Sequence, residues 1–355
     1  MRLPHHTTRT LVRLLACTAG GIAIITGLYL FSDRLNHRPN GFIRLLYPHA
    51  LQPQATLDLG YNSFYIAGMS NTRVYFGNTT APFLLTITNH LLSDKQQLSI
   101  GHPMKMDSMA TGPGLIVDSP RLYLYTQSPA TIRTASLSGA PIRFSEPDTS
   151  VFNQLQPLSP SSFVLRRYDK AAQQNILQSF SLSAGTRPGN DYRLATQGDG
   201  VFSTDGMLLG LPDSQGAVYV YYYRNLFVIL DRHLHTLVSG HTIDTNHTAQ
   251  LRITSSYADK SSVLSGPPPF VNRHACTAGR SLFIHSVLLS NNENRSSFEE
   301  ASVIDVYDLS NGRYRFSFYI PDFAGQKIKD FKIGHHTLVA LYQHDAMSYS
   351  IRFPY

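Results

Sequence analysis

Apolar and polar residues alternate with a period of two in "SVIDVYDLSNGRYRFSFYIPD", residues 302–322. Ile304 and Val306 alternate with Asp305 and Tyr307, and Tyr314, Phe316 and Phe318 alternate with Arg313, Arg315 and Ser317. That period, in β-branched and aromatic residues, predicts two half-buried strands. Ser310, Asn311 and Gly312 between them tolerate positive φ and predict a tight turn. A helix would scatter the same apolar residues over all its sides.

The pattern recurs. "RVYFGNTTAPFLLTITNHLLSDKQQLSI" from residue 73, "RLYLYTQSPATIRTASLSGAPIRF" from 121 and "AVYVYYYRNLFVILDRHLHTLVSGHTI" from 217 each read as three strands with turns. Less regular versions begin at Ser162, Ser281 and Thr337. Each is preceded by a short segment: "NSFYIAG", "GPGLIVDSP", "LQPLSPS", "GVFSTDGML", "VNRHACTAG" and "KDFKIGH". A unit is therefore four strands, repeated at the spacing of propeller blades. The expected fold is all-β, a six-bladed β-propeller of four-stranded antiparallel blades; five or seven blades and a pair of β-sandwiches are the alternatives. "NNENRSSFEEA" reads as an insertion in the fifth unit. The last unit is one strand short, and "ATLDL" (residues 55–59) has no partner of its own. Pairing the two would close the ring and remove two open edges.

A different pattern occupies the N-terminus. "LLACTAGGIAIITGLYLF", residues 14–31, carries no charge and has about the minimum length that spans a bilayer. Arg2, Arg9 and Arg13 precede it and Arg34, Arg38 and Arg44 follow. Basic residues at its leading end favour that end staying in the cytoplasm. The expected layout is a basic cytoplasmic tail (1–13), a single-pass signal anchor (14–31), a polar spacer (32–54) and the propeller (55–355). The helix would hold the chain in the cell inner membrane, with the propeller on the periplasmic or extracellular side. Residues 42–46 would rest at the membrane surface. A cleaved signal peptide and a lipidated Cys17 are the rivals.

Charge adds one exclusion. The arginines just named, against Asp33, supply +5 of the net +7, so the rest of the chain has no basic excess to hold nucleic acid. Of the two cysteines, Cys17 lies in the apolar run and Cys276 in a predicted strand, so Cys276 reads as a small buried residue.

"LDLGYNSFYIAG", "YFGNTTAP", "PLSPSSFVLR", "YVYYYRN", "GHTIDT" and "VIDVYDLSNGRYRFSFYIPD" resemble an uncharacterised family of membrane-anchored bacterial proteins. The resemblance implies an anchored β-rich architecture and association with small redox-related membrane proteins of the MauE/DoxX kind. It implies no catalytic residue. More distantly the layout is similar to six-bladed TolB-like propellers.

Chemistry is sparse. GxSxG, HExxH, a phosphate-binding GxxxxGK[ST] loop and GxGxxG are all missing. His233 and His235 could chelate a metal from one strand face, but "DRHLH" reads first as a solvated turn; His335 and His336 would point to opposite faces of a strand. Asp199, Asp205 and the group Glu293, Glu299 and Glu300 suit turns better than calcium. "YYYRN" offers Tyr and Arg, the types enriched at binding surfaces, or ordinary sheet packing. The candidates for a ligand site in the central channel are Tyr65, Asp118, Asp205, His274 and Lys332. No catalytic residue, metal or cofactor is expected. The leading expectation is a membrane-tethered binding module with a protein partner or other ligand in the envelope. The alternative is a propeller hydrolase, lactonase or oxidoreductase using channel residues, with or without calcium.

Overall fold

The computed structural model describes residues 5–36, 40–100, 113–127, 130–137, 143–145, 151–181, 188–256 and 261–355. Arg2 and Arg38 of the expected basic flanks lie outside these. The repeat folds as a six-bladed β-propeller. The inner strands are Phe64–Met69, Gly114–Asp118, Gln154–Ser159, Gly206–Gly210, Asn272–Ala278 and Asp330–Gly334, the six segments that preceded each three-strand run. From each, three further strands pair antiparallel outward.

The sixth blade takes its outer strand from the other end of the chain. Leu51–Asp58 pairs antiparallel with Asp345–Ile351, Leu51 opposite Ile351 and Leu57 opposite Ala346. Closure therefore occurs as expected, but the strand begins at Leu51, inside the stretch assigned to the spacer.

Packing explains why the alternation is only half a guide to burial. Separate apolar clusters fill the gaps between successive blades; one holds Phe283, Ile304 and Phe318 of blade 5 against Phe331, Leu338 and Tyr349 of blade 6. Another holds Val218, Phe227 and Ile229 of blade 4 against Leu282, Ile284 and Tyr307 of blade 5. An internal blade is thus covered on both faces. In Ala301–Asp308 every residue except the first and last is buried, so the half-buried expectation fails there, and Asp305 is only 1% exposed.

Asp305 is buried because Arg44 reaches it. Residues 40–47 run along the outer edge of blade 5, where Leu46 bridges Ser317 in parallel. The Ser317 N–H donates to Leu45 O and the Tyr47 N–H to Ser317 O, both at 2.8 Å. Phe42 and Arg44 point inward while Ile43 and Leu45 point out. The Arg44 guanidinium donates to both Asp305 oxygens at 2.7 and 3.1 Å, to Leu288 O at 2.8 Å, and to Glu293. Ser317 Oγ donates to the same Asp305 carboxylate, and Tyr319 donates to Glu293. A bidentate pair with its remaining lone pairs occupied is the arrangement that makes a buried charge tolerable. Arg44, grouped above with the membrane-flanking arginines, is instead the pin that holds this strap. The insertion expected in blade 5 supplies Glu293, followed by the short helix Arg295–Glu299.

Two further elements among the described residues lie outside the blades. A hairpin of Ile253–Ser256 and Ser261–Leu264 stands between blades 4 and 5. The N-terminal helix, His5–Asn36, contains an 18-residue window, Val12–Tyr29, of mean hydropathy 1.6, none of it buried against the protein.

Candidate functional site

Each inner strand has one edge facing the axis, whose N–H and C=O groups need partners. Side chains of the neighbouring blade supply several. The Leu115 N–H of blade 2 donates to the Tyr65 hydroxyl of blade 1 at 2.9 Å. Gln154 of blade 3 donates to Gly206 O and accepts from the Leu208 N–H of blade 4, at 2.7 and 2.8 Å. Thr277 of blade 5 donates to Gly210 O at 2.5 Å, and Asp330 of blade 6 accepts from the Ile66 N–H at 3.4 Å. Tyr65 is thereby a structural bridge. Its ring crosses Gly77, where a Cβ would fall 2.4 Å from it, so only glycine leaves room.

Where the inner strands end, the channel opens into a cavity of about 620 Å³. Asp118, Gln156, Cys276, Lys332, His335 and His336 are among its lining residues. Asp118 is the last residue of its inner strand and is exposed; Lys332, midway along its own, is half-buried. Neither side chain makes a hydrogen bond or ion pair with another described residue. The expectation of opposite-facing histidines does not hold. His335 and His336 form the turn after Asp330–Gly334, at φ of 51° and 59°, and both reach the cavity. The His336 N–H donates to the Tyr355 hydroxyl at 2.7 Å, which keeps that turn in place.

The five channel candidates therefore divide. Asp118 and Lys332 both line this mouth. Asp205 precedes the inner strand of blade 4, away from the cavity, and pairs with Arg166 at 2.8 Å. His274 lies in the wall of blade 5, opposite His285 and stacked on it at 5.9 Å between ring centroids. Burial, with the charge of Arg273, lowers the His274 pKa to about 4, and burial lowers His285 in the same direction. Burial also pushes the Cys276 thiol up to about 12, against a smaller pull from Lys332. The His274 imidazole and the Cys276 thiol are thus neutral at physiological pH.

The remaining motifs resolve as structure. Asp199 accepts the Val201, Phe202 and Ser203 N–H groups in a turn. Asp231 does the same for His233 and His235, so "DRHLH" is a turn. In "YYYRN" the Arg224 guanidinium lies 4.2 Å over the Tyr221 ring, and both residues are buried. Asp58, His344 and Asp345 bring donor atoms suited to a divalent cation within 4.8 Å of one another beside the closing strand. Their ion pairs, at 3.2 and 3.3 Å, account for that arrangement.

No family model and no curated protein matches the chain. Among solved structures it is similar to virginiamycin B lyase from Staphylococcus aureus, at 11% identity and a TM-score of 0.48, over 85% of this chain and 99% of that one. It is similar to BamB from Moraxella catarrhalis at 11% identity and a TM-score of 0.41, over 85% and 100%. The WD40 domain of Neurospora crassa Pan2 shares 9% identity at a TM-score of 0.46, over 88% and 99%. At such values these likenesses are architectural and assign no activity.

Proposed function

We propose that this chain is a membrane-tethered, extracytoplasmic binding module that holds a protein partner of the envelope at the channel mouth, without catalysis. One observation carries the reading: an open cavity is lined by an ammonium (Lys332) and a carboxylate (Asp118), neither of which makes a side-chain hydrogen bond or ion pair with another described residue. Its volume lies within the range of roughly 300–1,000 Å³ common to ligand sites. Charges so placed suit a partner segment bearing both signs, and charge complementarity chiefly sets which partner is accepted. At the cavity, burial holds the Cys276 thiol protonated, which makes it a poor nucleophile. The tether is supported by the exposed apolar helix.

The test is capture of membrane proteins by the full chain in nanodiscs, comparing wild type with Lys332→Met and Asp118→Asn. A partner retained by wild type and lost with either variant supports the reading. Identical capture by all three would remove the mouth as the binding site.

A further inference from the structure

The strap of residues 40–47 does more than close a gap. Its inward face is spent on Phe42 and Arg44, which leaves Ile43 and Leu45 pointing away from the protein, 65% and 64% exposed. Leu46 and Tyr47 continue the apolar run at 39% and 38%. The Tyr47 ring packs on Phe316 and Phe353 at 5.4 and 5.8 Å and turns its hydroxyl outward to Arg352 O, at 3.4 Å. Other large exposed apolar side chains of the propeller, such as Tyr61, Leu91, Val151, Tyr168 and Leu237, stand singly along the chain, which is ordinary for a protein surface. The run at 43–47 is different in being contiguous and rigidly held.

We propose that Ile43, Leu45, Leu46 and Tyr47 seat the rim of blade 5 in the headgroup layer of the membrane that the chain's own helix crosses. The inference rests on the tether reading. Chain length supports it. Ile43 follows the last helical residue, Asn36, by seven residues, which span at most about 25 Å when fully extended. From Tyr29, where the apolar window ends, the helix rises only about 10 Å more to Asn36. The apolar run is thus leashed to the bilayer surface. Aliphatic side chains with a tyrosine beside them suit the boundary between acyl chains and headgroups. The Arg44 ion pair orders the strap in advance, so seating it adds little conformational cost. The residues that enter the lipid are alternate ones: Phe42 and Arg44 belong to the protein's interior, although sequence alone puts all of 42–46 at the surface.

The chain contains no tryptophan, so a single introduced one reports its surroundings without background. Full-length Ile43→Trp, Leu45→Trp and, as a control on blade 3, Tyr168→Trp are reconstituted in phosphatidylcholine–phosphatidylglycerol liposomes with and without lipids brominated near the headgroup. Blue-shifted emission, quenched severalfold by brominated lipid at positions 43 and 45 but not at 168, is the expected result. Protein that stays with the liposomes but is no more quenched at 43 and 45 than at 168 would overturn this inference and leave the tether intact. Full-length protein that washes off the liposomes at alkaline pH would overturn both.

Discussion

Removing the Arg44 guanidinium leaves Asp305 and Glu293 without their cation at a buried edge. Breaking such a pair costs about 3–5 kcal/mol, against a total stability of about 5–15 kcal/mol. Arg44→Ala should therefore lower the urea midpoint sharply. Arg44→Lys should recover little, because an ammonium cannot fork across both Asp305 oxygens. Full recovery by lysine would show that the bidentate geometry is unimportant. The paired histidines give a pH signature. His274 has a folded pKa of about 4, below its ordinary 6.5, so between these values the unfolded chain binds a proton that the folded chain does not. Its contribution is complete above 6.5 and is lost as pH falls toward 4; His285 acts in the same direction. Chemical denaturation across that window should show stability falling, and His274→Gln should flatten the slope. An unchanged slope would mean that His274 is not held neutral.

The closing strand and the strap make separable contributions. A chain starting at residue 40 keeps both and should melt as the whole propeller does. Starting at residue 51 removes the strap and its buried ion pair. Starting at residue 59 also removes Leu51–Asp58 and bares the edge of Asp345–Ile351. Each lost ladder hydrogen bond is worth about 0.5–1.5 kcal/mol net, and the burial of Leu57 goes with them. Thermal melts should fall in two steps; equal melting temperatures for starts at 40 and 59 would contradict closure by this strand. The inner strands were legible because each breaks at a Gly, Ser or Pro before the next strand. The strap was not, since "GFIRLLY" has no period that separates a strand from a linker until Ser317 offers it an edge.

For the molecule as a whole, the tether reading predicts on which side of the membrane the propeller sits. Arg9 and Arg13 precede the uncharged run of residues 14–31 and favour a cytoplasmic N-terminus. An alkaline phosphatase fused after Tyr355 should be active, and a fluorescent protein that matures only in the cytoplasm should stay dark there. The reverse would place the channel mouth in the cytoplasm and end the envelope-partner reading. The location of Arg44 weakens the charge bias after the helix, since that charge is neutralised within blade 5.

The blade count, the ring closure and the apolar N-terminal helix were all readable from periodicity and run length, because strand and helix periods are local properties of the chain. Which polar residues come together at the cavity was not local. Asp118 and Lys332 are 214 positions apart and line one mouth only because the ring brings their inner strands together there. His335 and His336 reach that mouth through a left-handed turn that no strand pattern announces. Asp205 and Tyr65 looked equally free in sequence, yet the fold pairs one with Arg166 and uses the other as a bridge between blades. Arg44 and Asp305, 261 positions apart, each look like a surface charge until stacked blades bury both, and then neither can be there without the other.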